Sequence, residues 1–63
     1  MKHFYVSLYG GMTIVQAYRQ DVAAKWARSY FGAFNYVSTR PAQDHEIEWC
    51  KSFGGMIHTV ERP

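Results

Sequence analysis

Two stretches at the start of the chain alternate between apolar and polar residues, and a period of two predicts β-strands. They lie on either side of Gly10-Gly11, a dipeptide that favours a tight two-residue turn. We therefore expect a β-hairpin over residues 3–19, in which Val6 pairs with Val15. One face of this hairpin would carry Phe4, Val6, Leu8, Thr13, Val15 and Ala17. The other face would carry Tyr5, Ser7, Tyr9, Met12, Ile14, Gln16 and Tyr18.

After the hairpin, the apolar residues recur with the spacing of an amphipathic helix, and this pattern occurs twice. The segments 20–41 and 43–63 each begin with Gln-Asp and continue through a tryptophan, a base, a serine and Phe-Gly. Each then closes on Arg-Pro after a strand-like run. Because self-similarity of this kind indicates a repeated supersecondary element, we interpret the two segments as an internal duplication of a helix–strand unit.

The ends of the helices are set by capping residues. The first helix is expected to begin at Asp21 and to end at Gly32. The second begins at either Pro41 or Asp44 and stops at Gly54-Gly55. Strands would follow at 34–39 and 56–61. The buried side of the second helix would contain Ile47, Trp49, Cys50 and Phe53.

The expected order of elements is therefore β-β-α-β-α-β, which indicates an α+β fold. We expect two layers: a four-stranded mixed sheet with both helices on one face. All 63 residues form a single domain, made of hairpin 3–19 and helix–strand units 20–41 and 42–63. The order of the strands stays open, because the helices can serve as crossovers between parallel strands while the third strand can also pair with the first.

Composition limits the setting of the chain and its partners. There is one cysteine, which excludes an internal disulfide and favours a reducing compartment. No apolar run is long enough for a membrane span, and the start of the chain does not read as a signal peptide. We therefore expect a cytoplasmic protein, or one in the host cytoplasm if it is phage-encoded, and no membrane partner. The net charge of +2 is too small to indicate a dedicated DNA-binding domain.

The residues that could carry chemistry are few. Cys50 and the three histidines lack the spacing of a metal site, and Cys50 occupies the position of Ala27 in the first repeat. Glu46 interrupts the apolar side of the second helix, where free backbone N–H groups of the first turn can bind its carboxylate. No nucleophile elbow, phosphate-binding loop or pair of acids is present. We expect no enzymatic activity, no metal and no cofactor.

Two surface features indicate binding. The second hairpin face is rich in tyrosine, and tyrosine and methionine are enriched in protein interfaces. Arginines follow the strands, and if those strands are parallel the guanidinium groups gather at one edge of the sheet, where they could bind carboxylates or phosphates. The expected partner-binding residues are Tyr5, Tyr9, Met12, Ile14, Tyr18, Arg19, Arg40 and Arg62. The opposite interpretation is also open: this face could be the core and the arginines could be solvated.

The helix around Trp26 and the strand from Phe34 to Arg40-Pro41 follow an N-terminal hairpin. In this part of the chain the arrangement resembles the small phage inhibitors of bacterial RNA polymerase, which have a hairpin, a helix and a strand that ends in Arg-Pro. The resemblance implies a protein-binding role for Arg40. This chain departs from that pattern, since it adds a helix and a strand and has one arginine in the strand where the inhibitors have two.

We therefore predict a non-enzymatic protein-binding module, such as a small phage or mobile-element protein that inhibits a host complex by occluding a surface. A first alternative is a small nucleic-acid-binding domain in which bases stack on the tyrosine-rich face. A second is a homo-oligomerising module in which that face forms a homodimer interface.

Overall fold

A computed structural model describes residues 1–61 of the chain. The elements follow the predicted order β-β-α-β-α-β. Their bounds are β1 Lys2–Leu8, β2 Gly11–Ala17, α1 Gln20–Phe31, β3 Tyr36–Pro41, α2 Asp44–Ser52 and β4 His58–Thr59. The α+β fold with a four-stranded mixed sheet is thus confirmed. Neither α1 nor α2, nor any other stretch within residues 1–61, has the length and apolar content of a membrane-spanning helix.

The strands lie in the order β3-β1-β2-β4. Strand β1 is antiparallel to both β2 and β3, and β4 is parallel to β2. Strands β2, β3 and β4 therefore run in one direction, as the crossover interpretation requires. The pairing of the third strand with the first, which the sequence left as an alternative, is the one that the structure contains.

The register of the hairpin differs from the prediction by two residues. Leu8 pairs with Gly11, so the turn is formed by Tyr9 and Gly10, and Val6 pairs with Thr13. The expected turn needs a positive φ at both glycines, but only Gly11 of the pair has one. A shift of two residues preserves the side-chain alternation, so each residue still lies on its predicted face.

The main core lies between α1 and the first hairpin face. Its buried members are Phe4, Val6, Val15, Ala17, Ala23, Ala27 and Val60. The helix contributes two small residues, Ala23 and Ala27, to the buried cluster. Larger side chains such as Trp26 and Phe31 are partly buried and pack against this cluster. This core is thin, because its largest fully buried side chains are the valines Val6 and Val15.

The structure differs from the prediction in the position of α2, which contacts the other face of the sheet. Ile14 is fully buried but is not part of the α1 core, and Glu46 of α2 binds Arg40, which pairs with Tyr5 on that second face. The strand order explains this. The crossover from β2 to β3 passes across the sheet in one direction and the crossover from β3 to β4 passes back. Two right-handed crossovers in opposite directions place their helices on opposite faces.

The helix ends lie within one residue of equivalent positions in the two repeats. Helix α1 begins one residue before Asp21 and stops at Gly32, whose φ of 93° is readily available only to glycine. Helix α2 begins at Asp44, and Gln43 and Glu46 form a capping box. Equivalent positions of the repeat are buried in both helices: Ala23 corresponds to Glu46, and Ala27 to Cys50. The strands differ from expectation, since β3 starts at Tyr36 and β4 has only two residues.

Candidate functional site

Helix α2 covers the middle of the tyrosine-rich face. Ile14 is inaccessible beneath it, and Met12 is half-buried. Tyr5 is also half-buried, since the Arg40 guanidinium lies 4.2 Å from the centroid of its ring. Tyr9 and Tyr18 remain exposed, but they lie at opposite ends of the sheet. The sequence placed these residues on the correct face, but they do not form one open platform.

The predicted arginine row is largely engaged within the chain. Arg19 and Arg40 lie at the same end of the sheet, as expected, because they belong to the ends of parallel-running strands. The Arg19 Nε atom is 3.3 Å from Oδ1 of Asp21 in an exposed ion pair. Arg40 binds Glu46. Arg62 lies outside the described residues.

Glu46 is held by two partners. Its Oε1 accepts hydrogen bonds from Arg40 Nη1 at 2.8 Å and from the Gln43 backbone N–H at 2.9 Å, and its Oε2 accepts a second bond from Arg40 Nη2. The Arg40 hydrogen bond, followed by that from the Gln43 backbone, lowers the pKa of Glu46 from 4.5 to about 2. The same ion pair raises the pKa of Arg40. Glu46 therefore stays ionised at neutral pH and acts as a structural anion, not as a proton donor.

An aromatic cluster on α1 contacts β4. Trp26 stacks on Tyr30 with a centroid distance of 4.7 Å, and Phe31 meets both rings edge-on. The His58 ring lies 5.1 Å from Trp26, 5.4 Å from Tyr30 and 5.6 Å from Phe31, measured between centroids. Because β4 pairs with β2 over two residues only, this cluster supplies much of what holds the strand in place.

A groove beside α1 has a volume of about 360 Å³. Val22, Trp26 and Val60 contribute its apolar lining. Its acid, Asp21, is paired with Arg19, and the lining includes no histidine or cysteine. Within residues 1–61, no three His, Cys, Asp or Glu side chains come together as a metal site. The remaining polar residues of the groove lining are Lys25 and Ser29, one turn apart on α1.

The most exposed large apolar side chains lie elsewhere, on the connections between elements. They are Tyr9, Phe34, Phe53 and Met56, with exposed fractions of 80%, 97%, 84% and 73%. We call this set the aromatic end. A small domain that places two phenylalanines almost wholly in water, while Phe4 is the only phenylalanine among the buried residues described, has apolar surface that its own fold does not use.

The topology brings these connections to one end of the sheet. Residues 9–10 join β1 to β2, residues 32–35 join α1 to β3, and residues 53–57 join α2 to β4. Both helices start at the opposite end and finish here, since they link the end of one strand to the start of another. The Tyr9 N–H donates a hydrogen bond to the Asn35 carbonyl over 3.0 Å, which joins the first two connections directly.

None of these three connections contains a charged residue. The opposite end differs, because charged side chains concentrate there: Lys2, Arg19, Asp21, Arg40 and Asp44. Aromatic residues and methionine are enriched, and charged residues depleted, in the centres of protein interfaces. The aromatic end has that composition.

Sequence reasoning found Tyr9 but missed the other members of the aromatic end. Phe34 was assigned to a strand and Phe53 to the buried side of α2, yet Phe53 is 84% exposed and Trp49, from the same side, is 52% exposed. Helix α2 ends at Ser52, so Phe53 lies in the connection that follows the helix and not on its buried side. The absence of charge from three glycine-containing connections was the signal available in the sequence.

Comparison with known protein families, with curated proteins and with solved structures gives no match for this chain.

Proposed function

We propose that the chain is a non-enzymatic protein-binding module whose contact surface is the aromatic end. The observation that carries this proposal is the exposure of Phe34 and Phe53, at 97% and 84%, on connections without charge. Phenylalanine, tyrosine and methionine supply binding free energy by leaving water, and a few such anchors account for most of the affinity of an interface. The matching surface of the partner would be an apolar depression.

Side chains, not backbone, would make the contact. The Ala42 N–H donates a hydrogen bond to the His3 carbonyl, so these two residues form a hydrogen-bonded pair. Hydrogen-bonded and non-hydrogen-bonded pairs alternate along antiparallel strands, and the backbone groups of Thr39 and Pro41 therefore point away from β1. Pro41 has no N–H, and the Thr39 carbonyl accepts a hydrogen bond from Gln20 Nε2 at 3.0 Å. The edge of β3 is therefore poorly suited to strand addition, and β4 has only two residues.

This module would act by occluding a surface on a larger complex, as expected of a small phage or mobile-element inhibitor. Arg19 and Arg40 are paired within the chain and lie at the other end, so orientation of the partner would come from the shape of the aromatic end. A nucleic-acid ligand is less well supported, because the affinity of nucleic-acid binding comes largely from lysine and arginine contacts with phosphates. The three connections contain neither lysine nor arginine.

The test compares capture by matched variants. Lysate, with and without nuclease treatment, is incubated with the tagged wild-type chain, the double variant Phe34→Ser/Phe53→Ser or the control Tyr18→Ser. Tyr18 is 50% exposed and lies at the other end of the sheet, so its substitution removes an exposed aromatic side chain without touching the aromatic end. We expect a stoichiometric protein that wild type and Tyr18→Ser retain and the double variant loses. Equal retention by all three, or recovery that nuclease abolishes, would contradict the proposal.

A further inference from the structure

We propose that a second copy of this chain covers the aromatic end when no other partner is bound, so that self-association competes with partner binding. The competition rests on the proposed function, whereas the self-association does not depend on that partner. It follows from three properties of the described residues: the charge of the aromatic end, its area, and the thinness of the core.

The aromatic end is compatible with a copy of itself. In a two-fold symmetric dimer each patch meets the same patch, so any net charge on it meets like charge. The connections that carry Tyr9, Phe34, Phe53 and Met56 contain no charged residue, and this repulsion is absent. The nearest charged side chains in sequence are Lys51, whose Nζ atom lies 3.9 Å from Oε1 of Glu48 in an exposed pair, and Arg28, which lies over the Tyr36 ring at 5.3 Å.

The area is close to what a dimer needs. A buried aromatic side chain removes roughly 150–250 Å² from water, so Tyr9, Phe34 and Phe53 together offer roughly 450–750 Å² per chain. Standard interfaces bury about 800 Å² per partner, and the glycine-rich backbone around these side chains supplies additional area. The end as a whole therefore fits a weak to moderate dimer and not a permanent one.

Association would also stabilise the fold. A chain of 63 residues buries a smaller share of its surface than a larger domain does, and here the largest fully buried side chains are one isoleucine and two valines. Binding of a second copy to the folded state stabilises that state by mass action. We therefore expect the thermal midpoint of the wild type to rise with protein concentration.

Sedimentation equilibrium of the purified chain, from about 1 to 500 μM, tests the inference because a weak dimer populates in this range. Wild type and Tyr18→Ser should pass from 7.3 kDa toward twice that mass. The double variant Phe34→Ser/Phe53→Ser should remain a monomer, with at least about tenfold weaker association. Because the interface is uncharged, raising the salt concentration should leave the wild-type dimer unchanged or slightly stronger.

A second variant protects the test against misfolding. Phe34→Lys changes a side chain that is 97% exposed, so it leaves the fold intact while placing like charges at the interface, and it too should abolish the dimer. A wild type that stays at 7.3 kDa throughout, or a Phe34→Lys chain that dimerises like wild type, overturns the inference. Neither result bears on capture of a different protein from lysate, so the two proposals fail separately.

Discussion

The Arg40 guanidinium binds both carboxylate oxygens of Glu46 and at the same time lies 4.2 Å from the centroid of the Tyr5 ring. One side chain of β3 thus joins α2 to β1. The Glu46 side chain is only 5% exposed, and a buried carboxylate without its arginine would be strongly destabilising. This contact helps to hold α2, whose buried residues are Glu46 and Cys50, on the second face of the sheet.

The ion pair predicts a specific loss of stability in acid. The pKa of Glu46 is about 2 in the folded chain against an ordinary 4.5, so its ionised form stabilises the fold above pH 4.5. That contribution is lost as the pH falls from 4.5 toward 2, where the carboxylate binds a proton in the folded chain. Glu46→Gln should therefore be less stable than wild type at pH 7, and the difference should shrink steadily below pH 4.5.

Urea unfolding at a series of pH values measures this difference. Glu48→Gln is the control, because the Glu48 side chain is 72% exposed and its Oε1 atom makes only a long contact, 3.9 Å, with Nζ of Lys51. It should follow the wild-type curve at every pH. If the difference in free energy of unfolding between wild type and Glu46→Gln stays constant down to pH 2, the ion pair is not the cause of the lower stability of the variant.

Gly55 lies against the last turn of α2 and should not tolerate a side chain. A Cβ atom there would be 2.9 Å from both the carbonyl oxygen and the Sγ atom of Cys50. Gly55→Ala should lower the free energy of unfolding by about 1–3 kcal/mol, as overpacking does elsewhere. Gly10→Ala, which would meet no atom within 4 Å, should change it by less than about 0.5 kcal/mol.

Chemical denaturation of both glycine variants gives these values. Adding Cys50→Ala to Gly55→Ala removes the Sγ contact but leaves the carbonyl contact, so it should not restore full stability. A Gly55→Ala chain as stable as wild type would show that this close approach does not constrain the connection.

His58 should hold β4 on the sheet through the α1 rings. The Val60 N–H donates to the Gln16 carbonyl over 2.8 Å, and its exchange with solvent reports opening of the strand. His58→Ala removes contacts with Trp26 and Tyr30 that are together worth about 1 kcal/mol, so exchange at Val60 should become roughly fivefold faster. Exchange in the middle of β1 should not change, and equal acceleration there would indicate global destabilisation.

The order of elements could be predicted because it depends on local periodicity. Alternation identified the hairpin faces even though its register was off by two residues, since such a shift moves no side chain to the other face. The glycine at position 32 correctly marked the end of α1, for the physical reason that its φ of 93° is hard for other residues.

The placement of α2 could not be predicted in the same way. Both faces of the hairpin are apolar, so the pattern alone did not say which face each helix covers. That choice depends on the strand order, which is a long-range property: β3 lies beside β1, and this reverses the direction of the second crossover. Because α2 covers the second face, Ile14 is buried there, and the most exposed large apolar side chains are those of the aromatic end.

The most direct test of the aromatic end as a binding surface is site-specific photo-crosslinking in cells. A photoreactive phenylalanine is placed at position 34, which is 97% exposed, and in a matched variant at position 18, which is 50% exposed at the other end. We predict discrete protein adducts from position 34 and none from position 18. An adduct of twice the chain mass would report the second copy, and a larger one the partner. No adduct from a folded chain labelled at position 34, or equal adducts from both positions, would contradict the assignment of this surface.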